Sequence, residues 1–206
     1  MSPRLDLPIA VAAWLLGFAW VGTTGSWTPL AVLAVLAAGR LLLRDPITRR
    51  LLRLDARAVA LGLAGGGAMI AATSLGHRLL AGAFPTFAGA TRGLYALLNA
   101  EGYRWPALAV LILLVATCEE IIWRGRALEP AGGGARLDGR ALAQVAAVAA
   151  LYGAATLASG SLLLAAVALA CGLAWGLLRA AGGSLWPAIL AHATWDLAVL
   201  IVWPLA

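Results

Sequence analysis

Charge is what this chain has least of. Only 12% of its 206 residues are charged while 63% are hydrophobic, and the mean hydropathy is +0.92. Soluble domains carry roughly 25% charged and 45–50% apolar residues, so the shortage excludes a water-soluble core. Lysine is missing: all 15 basic residues are arginine, set against 9 acidic ones for a formal net charge of +6. The two cysteines, Cys118 and Cys171, lie in separate apolar stretches, which excludes a disulfide framework. No polar stretch is long enough to fold alone, and no internal repeat is evident.

Apolar runs of about 20 residues recur instead, the length a helix needs to cross a hydrocarbon layer of ~30 Å. They predict spans at 7–25, 27–43, 58–75, 105–123, 141–158, 161–180 and 185–203. The expected fold is all-α, a polytopic membrane bundle of about seven to eight helices forming one membrane domain over 1–206. The first span lacks a cleavage-like exit and reads as a retained helix. Residues 76–104 are more mixed and read as an interfacial or re-entrant helix, with an eighth crossing as the alternative. Gly65, Gly66 and Gly67 predict close helix packing or a local break, and residues 131–134 (AGGG) a flexible loop.

The arginines set the orientation. Arg40, Arg44, Arg49, Arg50, Arg53 and Arg57 crowd the second connection, and Arg124, Arg126, Arg136 and Arg140 the loop after the fourth span. The positive-inside rule places both in the cytoplasm, and Arg4 and Arg179 agree with the same topology. Segment 76–104 and the C-terminus then lie outside. Arginines in short loops with no attached domain speak for anionic lipid headgroups as partners, and against nucleic acid.

Ionisable groups within a span cost roughly 2.5–3.5 kcal/mol each on insertion scales, so each needs a partner or a purpose. The fourth span ends Cys118-Glu119-Glu120-Ile121-Ile122-Trp123-Arg124. Helical spacing sets Glu120 against Arg124 and turns Glu119 about 100° away. One carboxylate is thereby neutralised and the other left free to titrate, which suits a general base. The bland alternative, a helix end with a snorkelling arginine, is opposed by the macrodipole, which disfavours negative charge there. In the last span His192 and Asp196 share one face, in the same inner half of the membrane. An imidazole backed by a carboxylate stabilises an oxyanion or ligates a metal. Cys118 paired with His192 as a nucleophile is a weaker reading, because helical rotation turns it away from Glu119.

Glu119-Glu120-x-x-x-Arg124, followed by Ser184-Leu185-Trp186-Pro187-x-x-x-x-His192-x-x-x-Asp196, resembles the CPBP family of CAAX proteases and bacteriocin-processing enzymes, also called Abi proteins. The resemblance covers about 105–203. It implies an all-helical intramembrane endopeptidase. The topology puts the cut, in a leader peptide, the membrane anchor of another protein or a sorting segment, near the cytoplasmic face, and the arginine-only, alanine-rich composition suits a bacterial inner membrane. Glu119 would activate a water, Glu120 and Arg124 would support it, and His192 would stabilise the oxyanion or bind metal, with Asp196 where Asn or Asp is usual. The resemblance leaves open a metal-free glutamic mechanism and one using a divalent metal such as zinc, held by Glu119 and His192.

The middle motif departs from the family pattern. Where the family has an aromatic residue four positions before a histidine, this chain has Tyr152 and Thr156. Threonine cannot shuttle a proton near neutral pH or bind zinc well, so a Glu/His/His zinc set is not available at the matching positions. His77 falls on the opposite side. The alternatives are an enzyme working with Glu119 and His192, with Thr156 orienting the water, or a non-catalytic regulator or immunity-type protein on the same scaffold. A proton or ion relay is opposed by the clustering of the polar residues near one face.

Overall fold

Prolines and short polar caps decide where the helices start. The computed structural model describes residues 6–128 and 137–205, and among these every regular element is helical. Helix α1 (Asp6–Thr24) is followed by α2 (Thr28–Arg44) and the short α3 (Pro46–Arg50). Asp45 caps α3 by accepting from the Ile47 amide. Asp55, accepting from the Ala58 amide at 2.7 Å, caps α4 (Ala56–Ala83). Helices α5 (Pro85–Leu98), α6 (Trp105–Glu120) and α9 (Trp186–Leu197) carry proline in their first turn, where the missing amide costs nothing. Asp138 caps α7 (Gly139–Thr156), and Ser161 caps α8 (Leu162–Gly182), which Gly183 ends at a left-handed φ of 70°.

Five of these helices are long and apolar enough to cross a membrane: Leu7–Thr24, Ala56–Ala83, Trp105–Ala127, Gly139–Ser159 and Leu162–Gly182. With this composition they make the chain an integral membrane protein. Two expected spans are shorter. Helix α2 has 17 residues and ends among arginines, and the last apolar helix covers Trp186–Val202.

The 76–104 region divides differently from expectation. Residues 76–83 continue α4, because nothing breaks the helix before Pro85, which disfavours helical backbone at Phe84. Helix α5 is then a 14-residue segment, about 21 Å long and too short to cross. The glycine triplet does not interrupt α4. A methyl group added at Gly62 would lie 2.7 Å from Leu190 Cβ, and one at Gly66 3.1 Å from Thr194 Cβ, so these two glycines let α4 lie directly against α9. The expected 131–134 loop, Arg4 and Arg136 lie outside the described residues.

Hydrogen bonds between loops define two ends of the bundle. At one, the Leu185 amide donates to the Leu51 carbonyl at 2.8 Å, Trp186 Nε1 to the Leu52 carbonyl at 3.0 Å, and Arg57 to the Ala181 carbonyl. This is the arginine-rich end. At the other, Trp27 Nε1 donates to the Leu97 carbonyl and Tyr95 to the Val199 carbonyl. Glu101 accepts there from Ser26 Oγ at 2.8 Å, the Trp27 amide at 2.7 Å and Thr28 Oγ1 at 3.0 Å. Partial burial works to raise the Glu101 carboxyl, but these hydrogen bonds outweigh it and hold the group below the usual carboxylate range.

Candidate active site

Helix α6 does not stop at Glu120. It widens into a π-helical stretch, Ile121–Ala127, whose side chains are buried from Ile121 to Gly125. Arg124 therefore turns inward instead of reaching for the membrane surface. Its Nη1 meets Glu120 Oε1 at 3.1 Å, with the two side chains 1% and 0% exposed. The expected pairing is present, as a fully buried ion pair.

Glu120 has a second partner. His192 Nδ1 lies 2.8 Å from the same Glu120 Oε1, and Nε2 faces Glu119 Oε2 at 3.5 Å and Asp196 Oδ2 at 3.4 Å. The imidazole thus bridges the two glutamates, a contact the residue spacing does not predict. Glu119 differs from expectation by not standing free: Tyr152 donates its hydroxyl to Glu119 Oε2 at 2.7 Å. Tyr152 thereby reaches the cluster. The Thr156 hydroxyl is turned away from it and donates to the Tyr152 carbonyl at 2.9 Å.

Three carboxylates, Glu119, Glu120 and Asp196, share one guanidinium and one imidazole. Counted formally, with all three carboxylates ionised and His192 protonated, the acidic groups outnumber the basic ones by one. For both ring nitrogens of His192 to donate at once, the ring must hold both protons.

Two aromatic residues complete the surroundings. Trp175 of α8 stacks on His192 with ring centres 3.5 Å apart and planes 17° from parallel. The Arg124 guanidinium lies 4.9 Å from the Tyr152 ring centre and 5.2 Å from that of Trp175. Trp175 is absent from the sequence motifs. Its signal is a single large aromatic among small residues in Cys171-Gly172-Leu173-Ala174-Trp175-Gly176.

A cavity of about 150 Å³ adjoins the cluster. Glu119, Tyr152, Thr156, His192 and Asp196 line it together with apolar side chains from several helices. Its α6 wall runs from Leu108 to Glu119 and its α8 wall from Leu164 to Trp175, so it extends from the carboxylates towards the arginine-poor end, where Tyr95 and Leu98 of α5 border it. Cys118 packs in the core, and the cysteine on the cavity wall is Cys171. His77 stands away from the cluster, its ring 5.8 Å from that of Phe87 on α5.

The donor set does not fit a three-ligand zinc centre. Among the described residues no three His, Cys, Asp or Glu side chains are placed to hold a metal ion, and position 156 offers a hydroxyl already engaged with backbone.

Fold and cluster together define an integral membrane protein with a carboxylate–imidazole centre buried between its helices. Residues 101–198 match the family model described as Rce1-like, type II CAAX prenyl endopeptidase Rce1-like. This match, over just under half of the chain, supports membership of the CAAX-protease (CPBP) family, a protease family. No curated protein and no solved structure matches it.

Proposed function

We propose that this protein is an intramembrane endopeptidase in which Glu119 activates the attacking water. The observation that carries this reading is the His192 imidazole held between Glu120 and Glu119 at the polar end of an otherwise apolar cavity. Glu119 takes a proton from water as the oxygen bonds to the scissile carbonyl carbon, and returns that proton to the leaving amide nitrogen as the C–N bond breaks. His192 donates from Nε2 to the oxyanion, and Glu120 with Arg124 fixes the imidazole from Nδ1. Tyr152 aims the Glu119 carboxylate. All steps run through protein groups.

The cavity supports a reading of the substrate class. A space of about 150 Å³ matches one that takes a benzene-sized guest in an apolar core, so one large apolar side chain beside the scissile bond fills it. That suits a leader peptide, the membrane anchor of another protein or a C-terminal sorting segment. The arginine-rich loops support a topology with the catalytic residues in the cytoplasmic half of the membrane and anionic lipids around the loops. The arginine-only, alanine-rich composition suits a bacterial inner membrane.

The test is peptidase activity of the chain reconstituted in lipid, on such peptides, with and without chelator. Glu119→Gln is expected to lower kcat by at least about 100-fold, and chelator to leave it unchanged. A Glu119→Gln variant as active as the wild type would sink the glutamate mechanism. Loss of activity on chelation would assign the site to a metal. An inactive wild type that gains activity as Thr156→His would make this chain a non-catalytic member.

A further inference from the structure

Trp175 forms part of the cavity wall, and its ring stacks on that of His192 with centres 3.5 Å apart. Helix α8 brings it there through its small residues. A methyl group added at Gly172 would lie 3.2 Å from Ala149 Cβ and 3.3 Å from Arg124 Nη2, and one at Gly176 2.8 Å from Val145 Cγ1. The two glycines therefore set α8 tightly against α7 and leave room for the buried guanidinium. The indole between them is 2% exposed.

Its edge is braced by Trp195, with ring centres 6.1 Å apart and planes at 73°. Its Nε1 makes no hydrogen bond, so whatever Trp175 contributes comes from its ring face. That face is parallel to the imidazole to within 17°. The carboxylates act on His192 within the ring plane: Glu120 at Nδ1, Glu119 and Asp196 at Nε2. In-plane bonds fix which nitrogen points where, but one short bond at Nδ1 leaves the ring free to tilt about it. A stacked indole removes the tilt, and an aromatic face also favours a cationic partner.

We infer that Trp175 is the positioning residue for His192, a ring platform that keeps Nε2 aimed into the cavity between Glu119 and Asp196. Its effect on catalysis rests on the peptidase reading above, whereas its effect on the imidazole does not.

The chain has two histidines, so the full-length protein in detergent micelles, labelled with ¹⁵N at histidine, gives two ring systems, and His192→Gln assigns them. The wild type is expected to show a single His192 ring state with a hydrogen-bonded Nδ1. Trp175→Leu is expected to broaden or split it into a mixture of ring states, and Trp175→Phe to keep it single. In the peptidase assay Trp175→Leu lowers kcat by about three- to tenfold, and Trp175→Phe recovers most of it. Should the Leu variant fail to fold, Trp175→Met replaces it as the ringless variant. An unaltered His192 spectrum in the ringless variant overturns the inference, as does a Phe variant as heterogeneous as the ringless one. If the wild type cleaves none of the peptides, the spectral comparison still decides the role of Trp175.

Discussion

Among single side chains, Glu120 carries the most, because one of its oxygens meets both Arg124 Nη1 and His192 Nδ1 in a place that water does not reach. A buried pair is a weak source of net stability, but removing one partner strands the other charge. Arg124→Met is therefore expected to destabilise the protein by about 3–5 kcal/mol, and adding Glu120→Gln to recover part of the loss. Unfolding in mixed detergent micelles measures both. A single variant as stable as the wild type would show that His192 alone compensates Glu120. At this scale the sequence was partly readable. The spacing of Glu120 and Arg124, and of His192 and Asp196, reflects a local helical rule, so both pairings are legible. The Glu120–His192 bridge, the Tyr152–Glu119 bond and the Trp175 stack join different helices, and no local spacing encodes them.

Whole elements matter to the site through α9, which carries His192 and Asp196 and rests along α4. Gly62 and Gly66 make that approach possible, and Gly67, next on the helix, faces open space. Gly62→Leu is expected to cost about 1–3 kcal/mol by overpacking and to lower activity as well, since it pushes on the turn of α9 just before His192. Gly67→Ala is expected to be neutral or stabilising by up to about 1 kcal/mol, through helix propensity. Thermal unfolding together with peptidase turnover separates the two. Equal effects from both substitutions would refute the packing role. The apolar runs made the helices legible, but not their lengths. The hydropathy of 58–75 falls off at His77 and Arg78, whereas the backbone stays helical through Ala83, two residues before Pro85. A hydrophobic run records where lipid is met, and a helix ends where a proline or a cap ends it.

Across the whole molecule, the carboxylate–imidazole cluster lies between two ends of different character. The arginine-rich end is fastened by the 51–52 turn against the start of α9, and the other by α5 and Glu101 against the α1–α2 turn. The cavity extends towards the second end, so Glu101 helps hold together the part of the bundle that borders it. Because hydrogen bonds from Ser26, Trp27 and Thr28 lower the Glu101 pKa on folding, the folded state binds the proton less readily than the unfolded chain. Its stabilising effect is present above the unfolded-state value of about 4.3 and is lost as pH falls through the lower folded-state value. Glu101→Gln is accordingly expected to lower the melting temperature near neutral pH, and the gap from the wild type to close on acidification below about pH 4. A gap that stays constant across this range would mean that the three donors are satisfied equally well by the neutral amide, and that the charge of Glu101 plays no part in holding α5 over the cavity.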